Sequence, residues 1–278
     1  METIKMLVLE TDSPHPDTFE EVGSFGQVFK NVFTTAGANH DPPLGVEVDM
    51  HYVVHDPDQG KTGHVPKASD IPEDMRAILI TGSLYDADGN DPWIDELRSL
   101  VLDLWRTRPD MKFTGICFGH QLLNRVLGGK VEPTPGNRWE LAHVEMDLTT
   151  VGQKLFVTDD KTLSLHQMHQ DQVTQVPSHD TTELIAPGTK VHVWASSEHT
   201  PVQGVYIRDR LFTSQGHLEI DEAMVHRQIE LRVQAGSITK DNANAVDHAK
   251  RTAHLEHDGE VLAAAMLRFF HGDDHDVD

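Results

Sequence analysis

A glycine-framed cysteine is the feature that most constrains the fold of this chain. The single cysteine among 278 residues, Cys117, has Gly115 two positions before it and Gly119 two positions after it. Residues 111–116 are short and apolar, which predicts a buried strand, and the apolar residues after the cysteine recur at helical spacing up to Gly128-Gly129. A reactive residue in a glycine-flanked turn between strand and helix is typical of a nucleophile elbow.

The position of Cys117 at the start of a helix favours a reactive thiol. The partial positive charge of a helix N-terminus lowers the pKa of a thiol and raises its thiolate fraction. The alternative is a buried structural cysteine, the commoner role of a lone free cysteine. The two glycines favour the nucleophile.

The composition of the chain limits the partners and the cellular compartment that we expect. A net charge of −22 opposes binding to phosphate backbones, so no nucleic-acid partner is expected. One cysteine excludes an intrachain disulfide and suits a reducing compartment. The chain shows no basic segment followed by an apolar run at its start and no stretch of about 18 apolar residues. We therefore expect a soluble, cytoplasmic protein with no membrane contact.

The order of apolar segments predicts an α/β fold. Buried strands at 4–9, 46–54, 77–80 and 111–116 alternate with helices at 19–33 and after Pro92, which favours an open, mostly parallel, doubly wound sheet. Later segments favour added antiparallel strands, at residues 142–148, 155–157, 163–165, 183–185, 191–195, 202–207 and 211–214.

The domain division follows from the absence of a long linker or an internal repeat. We expect one domain over residues 1–270, with a core of about 1–235 and a helical extension at 236–270. Helices are predicted at 223–233 and 261–270, and an acidic, disordered tail at 271–278.

A thiol nucleophile needs a base, and the base needs a group to orient it. His217 and Glu219 can supply both, since residues two apart in an extended segment point to the same side. Such a pair is weak evidence alone because the chain has 19 histidines. The turn after the third strand, Gly82-Ser83, can present backbone N–H groups to a developing oxyanion.

Five segments carry a resemblance to a known family: Gly115-Ile116-Cys117-Phe118-Gly119-His120-Gln121, Gln215-Gly216-His217-Leu218-Glu219, Thr81-Gly82-Ser83, Gly128-Gly129 and His169-Gln170-Asp171-Gln172-Val173. Together they resemble the class I glutamine amidotransferase family, whose sheet is flavodoxin-like. Residues 82–87 and 90–94 are most similar to the stand-alone γ-glutamyl peptidase branch.

The resemblance implies attack of Cys117 on a γ-glutamyl amide carbonyl and a γ-glutamyl thioester that is later hydrolysed. His217 would be the base and Glu219 its orienting carboxylate. Backbone N–H groups would hold the oxyanion, and three further residues would bind the glutamyl head group, although Gln121 could equally be an ordinary polar helix residue. The oxyanion residues are Gly82, Ser83 and Phe118, and the head-group residues are Gln121, Met168 and His169.

One departure concerns Leu218, where the family usually has a proline that would fix the backbone between the base and its carboxylate.

No metal and no cofactor are expected. The histidines of the C-terminal segment, His248, His254 and His257, lack the spacing of a helical metal pair and are interpreted as surface residues.

Three functions stay open on the sequence. The first is a stand-alone hydrolase of glutamine, a γ-glutamyl peptide or a glutathione-type conjugate. The second is a glutaminase subunit that delivers ammonia to a separate synthase partner. The third is a non-catalytic redox-sensing or binding module on the same fold. The sequence does not identify the leaving amine.

Overall fold

A computed structural model describes residues 2–274 and residue 277. The strands are, in chain order, β1 (Thr3–Glu10), β2 (Gly45–Tyr52), β3 (His55–Asp56), β4 (Lys61–Thr62), β5 (Ala77–Ile80), β6 (Lys112–Ile116), β7 (Lys130–Pro133), β8 (Glu140–Leu148), β9 (Thr162–His169), β10 (Asp171–Gln175), β11 (His192–Ser196), β12 (Gly204–Ile207) and β13 (Leu211–Ser214). The α-helices are α1 (Pro16–Val22), α2 (Phe25–Asn39), α3 (Pro92–Thr107), α4 (Phe118–Val126), α5 (Thr150–Phe156), α6 (Glu222–Gln234), α7 (Ala243–Thr252) and α8 (Gly259–His271).

Nine strands form one mixed sheet in the order β2-β1-β5-β6-β13-β12-β11-β8-β9. The first five are mutually parallel. Their order is that of flavodoxin-like sheets, in which ligands bind beyond the carboxyl ends of the strands. The last four strands pair antiparallel. The predicted fold class, a doubly wound parallel sheet with added antiparallel strands, is confirmed.

The core lies on both faces of the sheet because side chains alternate along each strand. On β1, Met6 and Val8 pack on the face that α2, α5 and α8 cover. Leu7 and Leu9 pack on the opposite face with α3 and α4. All four residues of β5 are buried, as expected of a central parallel strand.

Three predicted elements differ in the structure. Residues 19–33 were expected to form one helix, but Gly23 with φ 83° ends α1 and the Ser24 side chain caps α2. The predicted strand at 155–157 is the end of α5, which begins at the Thr149 cap. Residues 183–185 form no strand. Such short apolar runs fit helix, strand and loop alike.

The helix α7 lies within the expected helical extension at 236–270, although only residues 261–270 of that extension were assigned to a particular helix. It packs with α6 and β8 in a third apolar cluster. The predicted tail disorder is wrong for the part that the structure describes. Asp274 and Val277 are buried, and the Tyr206 hydroxyl donates to Asp274 Oδ2 at 2.5 Å. Residues 275, 276 and 278 of that tail lie outside the described residues.

Across residues 2–274 and 277, none of the helices combines the length and the apolar character that a membrane span requires.

Candidate active site

The Cys117 turn has the geometry of a strained elbow. Cys117 adopts φ 51° and ψ −104°, a backbone conformation that costs a non-glycine residue roughly 1–3 kcal/mol. Its N–H donates to Ser214 O at 2.9 Å, which ties the turn to the end of β13. A Cβ at Gly115 would collide with the backbone of Gly119, and a Cβ at Gly119 would collide with Ile80 O. The two glycines therefore permit the close approach of strand and helix that the sequence predicted.

His217 follows β13 and is held from both sides. Its N–H donates to His166 O at 2.8 Å, and its Nδ1 lies 2.7 Å from Glu219 Oε1. Both side chains are buried. Leu218, at the position where the family usually has proline, is buried in the core cluster. Backbone pairing and the packing of Leu218 thus fix the segment without a proline.

Cys117 and His217 each shift the pKa of the other towards its charged form. Burial alone would lower the pKa of His217, but Glu219 and Cys117 raise it to about 10. Burial alone would raise the pKa of Cys117, but the neighbouring His217 lowers it below its ordinary value. These shifts favour the thiolate–imidazolium form of the pair. The Nε2 atom of His217 forms no hydrogen bond with any described residue, so it is available to exchange a proton.

The loop after β5 lies on the other side of Cys117. A Cβ at Gly82 would lie 2.9 Å from His217 Cε1 and 3.5 Å from Cys117 Cβ. Ser83 Oγ donates to Thr11 O at 2.7 Å, which fixes the loop to the end of β1.

Three backbone donors beside Cys117 are free. Within the described part of the chain, the N–H groups of Gly82, Ser83 and Phe118 donate to no protein acceptor. Free donors near a nucleophile are what an oxyanion hole requires.

A cavity of about 200 Å³ opens beside Cys117. It brings together six of the predicted site residues: Cys117, Ser83, Phe118, Gln121, Met168 and His169. Met168 O lies 3.8 Å from Cys117 Sγ. Gln121 Nε2 donates to Asp171 O at 2.8 Å and to Gln215 Oε1 at 3.0 Å. Its Oε1 accepts no hydrogen bond from the described residues.

His169 is part of a buried ion pair. Its Nε2 lies 2.8 Å from Glu140 Oε2 and its Nδ1 lies 2.9 Å from Asp171 O. Burial alone would raise the pKa of Glu140, but His169 and neighbouring hydroxyls lower it to about 2. An ionised carboxylate and a carbonyl only accept, so both ring nitrogens donate and His169 is an imidazolium. The ring thus offers the cavity no free polar atom.

The sequence analysis missed three groups of the site. Three residues line the cavity that the sequence analysis did not include: Arg232 on α6, Trp139, and Asp171 at the start of β10. The only sequence signal for Asp171 was its place in the segment that starts at His169. Nothing in the helical pattern of residues 223–233 separated Arg232 from the exposed charges of that helix.

Elsewhere among the described residues, one group of side chains could hold a metal ion. The ligand atoms of His40, His271 and Asp273 lie within 4.8 Å of one another, at the ends of α2 and α8. Within the group, His271 Nδ1 lies 2.6 Å from Asp273 Oδ2 and His40 Nε2 lies 3.3 Å from the same oxygen. None of the three lines the Cys117 cavity.

Comparison with known proteins agrees with this geometry. The chain is 26% identical to a glutamine amidotransferase-like protein of Schizosaccharomyces pombe, over 94% of this chain and 96% of that one. It is 33% identical to gamma-glutamyl peptidase 5 of Arabidopsis thaliana, over 68% of this chain and 70% of that one. A glutamine amidotransferase structure from Thermotoga maritima covers 96% of this chain and is itself covered to 98%, with a TM-score of 0.60 at 17% identity. That structure shows the same fold.

The family match covers more than half of the chain. Residues 69–229 match the family described as glutamine amidotransferase class-I. The matched range contains the β5 loop, the Cys117 turn and the His217 segment. The chain is a member of the class I glutamine amidotransferase family.

Proposed function

We propose that the protein is a cysteine-dependent hydrolase that cleaves a γ-glutamyl amide bond. The observation that carries the proposal is the buried arrangement of the Cys117 thiol, the His217 imidazole and the Glu219 carboxylate beside free backbone N–H groups. The relatives named as γ-glutamyl peptidases support the same reaction. The substrate would be glutamine, a γ-glutamyl peptide or a glutathione-type conjugate.

In the first step the Cys117 thiolate attacks the γ-carbonyl carbon and the carbonyl oxygen becomes an oxyanion. The N–H groups of Gly82, Ser83 and Phe118 would stabilise that charge, since such donors act at fixed positions in a water-poor site. The His217 imidazolium then donates its Nε2 proton to the leaving nitrogen, and the C–N bond breaks. The product of this step is a γ-glutamyl thioester on Cys117.

In the second step water hydrolyses the thioester. His217, now neutral, takes a proton from the attacking water, and the C–S bond breaks to return the Cys117 thiolate and free glutamate. Glu219 keeps Nδ1 protonated throughout, so that Nε2 is the nitrogen that exchanges protons. These steps use only groups of this chain. We also propose a cytoplasmic location, because a reducing compartment keeps the Cys117 thiol free.

Glutamate release by the purified protein tests this proposal. We expect release from glutamine or from at least one γ-glutamyl dipeptide, and loss of that activity in Cys117→Ser and His217→Ala. His199→Ala is the matched control, because His199 is exposed. If wild type releases no glutamate from any of these compounds, stand-alone hydrolysis is wrong.

The same assay separates the other two functions. A glutaminase subunit would release glutamate only when its synthase partner is added. A redox-sensing module would stay inactive with every partner, although its low-pKa thiol would still react with alkylating reagents.

A further inference from the structure

Two histidines and an aspartate from opposite ends of the chain meet where α2 and α8 end. His40 follows the last residue of α2, His271 is the last residue of α8, and Asp273 lies two residues further on. His40 Nε2 and His271 Nδ1 lie 3.3 Å and 2.6 Å from one oxygen, Oδ2 of the aspartate. Two ligands that each lie about 2.0–2.1 Å from a tetrahedral ion are roughly 3.3 Å apart. The three side chains are therefore close to the spacing of metal ligands.

The second nitrogen of each ring already faces an acceptor. His40 Nδ1 lies 2.8 Å from Pro42 O, and because a carbonyl only accepts, this nitrogen carries a proton. In the neutral ring the lone pair is then on Nε2, the atom 3.3 Å from Asp273 Oδ2. On the other ring, His271 Nε2 lies 3.2 Å from Glu2 Oε2. A metal-bound histidine usually donates its other ring N–H to a carbonyl or a carboxylate in this way.

The charge around these side chains favours a cation. The C-terminal ends of α2 and α8 converge here, and each helix end carries a partial negative charge. Glu2 and Asp273 add two carboxylates. The nearby cations are engaged elsewhere, since Arg268 donates to Leu155 O and Lys112 donates to a carbonyl of α8. A cation that arrives from outside would therefore meet a surplus of negative charge.

The donor set selects the class of ion. Imidazole nitrogens suit zinc and the neighbouring transition metals, whereas Mg²⁺ and Ca²⁺ prefer oxygen ligands alone. Two histidines and a carboxylate supply three ligands, which leaves a fourth tetrahedral position for water. His40 lines a surface cavity of about 730 Å³, and the Asp273 side chain is 39% exposed. An ion and its water can therefore enter from solvent.

We propose that His40, His271 and Asp273 bind a divalent transition-metal ion of the zinc class, with Pro42 O and Glu2 holding the two rings. The ion joins the C-terminal ends of α2 and α8. None of these residues lines the cavity of the nucleophile, so the proposal does not depend on the proposed function. No spacing in the sequence indicated the site, because its ligands come from opposite ends of the chain.

Zinc binding by the full chain tests the site. All samples carry Cys117→Ser, because a thiolate beside a histidine also binds zinc. The protein is treated with EDTA, exchanged into chelator-free buffer and titrated with ZnCl₂ in a calorimeter. We expect one tight site per chain. At a zinc concentration of roughly 100 times Kd, Tm should rise by roughly 5–10 °C, and MgCl₂ should cause no such rise.

Variants assign the binding to its ligands. Glu2→Gln should weaken zinc binding by roughly 10–100-fold, the usual cost of losing an acceptor that orients a ligand. His40→Gln and His271→Gln each remove a ligand outright and should weaken binding by more than that. His226→Gln is the matched control, since His226 is exposed and faces only Glu222 at 3.9 Å, and it should bind zinc like its parent.

Each variant is melted with zinc and with EDTA, so that a variant of lower stability still reports whether zinc raises its Tm. Asp273→Asn, at the most exposed of the three ligands, serves if a histidine variant does not fold. Unchanged zinc affinity in His40→Gln or His271→Gln would overturn the site and would mean that the three side chains form ion pairs only. Tighter binding of Mg²⁺ or Ca²⁺ than of zinc would overturn the class of ion.

Discussion

Replacing Glu140 by glutamine should destabilise the protein more than the same carboxylate-to-amide change at any other residue near the cavity. Glu140 is 4% exposed and accepts from four side chains: His169 Nε2 at 2.8 Å, Ser197 Oγ at 2.6 Å, Thr200 Oγ1 at 2.9 Å and Gln203 Nε2 at 3.0 Å. The variant Glu140→Gln places an amide donor among these donors and leaves His169 without its counter-ion.

The expected cost follows from the buried pair. Breaking such a pair by removing one partner costs roughly 3–5 kcal/mol. A domain of this size loses roughly 2–4 °C of Tm for each kcal/mol of destabilisation, so Tm should fall by roughly 6–20 °C. Glu145→Gln, on the same strand but exposed, is the control and should change the free energy of unfolding by less than about 0.5 kcal/mol.

The pH dependence of the pair has opposite contributions from its two partners. The pKa of Glu140 is lowered to about 2 in the folded protein, from 4.5 in the unfolded chain, so its stabilisation is lost as the pH falls towards 2. Although burial opposes it, Glu140 raises the pKa of His169 above its ordinary 6.5, so the stabilisation by His169 is full below pH 6.5 and is lost as the pH rises. Because the two effects oppose each other between pH 7 and pH 4, the variants are compared at pH 7.

Urea unfolding of both variants and wild type at pH 7 measures these differences. A destabilisation by Glu140→Gln of less than about 1 kcal/mol at pH 7 would refute the charged pair, since even one hydrogen bond to a charged group is worth about 1.5–3 kcal/mol.

Three further predictions concern the Cys117 site. In His217→Gln the rate of Cys117 alkylation by iodoacetamide should reach its half-maximum at a higher pH than in wild type, because the imidazolium lowers the pKa of the thiol; an unchanged profile would contradict the ion pair. Wild-type turnover should fall on the alkaline side near pH 10 as His217 loses its proton, and on the acid side as Cys117 gains one; a single acid limb up to pH 11 would contradict this. Gly82→Ala should lower kcat with little change in Tm, because its Cβ would lie 2.9 Å from His217 Cε1. An unchanged kcat would show that this contact is relieved without cost.

The parts of the molecule that the sequence predicted are those set by local steric rules. Gly115 and Gly119 indicated the elbow, because only a glycine permits the close backbone contacts that the structure has at both positions. The parallel strands were predictable because each is a short apolar run, and β5 is buried over its whole length. The strand at 155–157 was wrongly predicted because three apolar residues cannot distinguish a strand from the last turn of α5.

Groups that depend on the tertiary fold were beyond the sequence. Arg227 and Arg232 lie on the same helix, yet one is paired with Glu21 at the surface and the other is buried against the cavity. The Glu140 cluster joins β8, β9 and residues 197–203, which only the sheet register brings together. No periodicity in the chain indicates either arrangement.

The proposed thioester on Cys117 is the central claim, and mass spectrometry tests it most directly. The protein is mixed with a γ-glutamyl substrate, quenched in acid within the first turnover and digested. The account predicts a mass increase of one glutamyl residue on the peptide that contains Cys117, and no such increase in Cys117→Ser. Turnover without an adduct, together with an active Cys117→Ser variant, would contradict it.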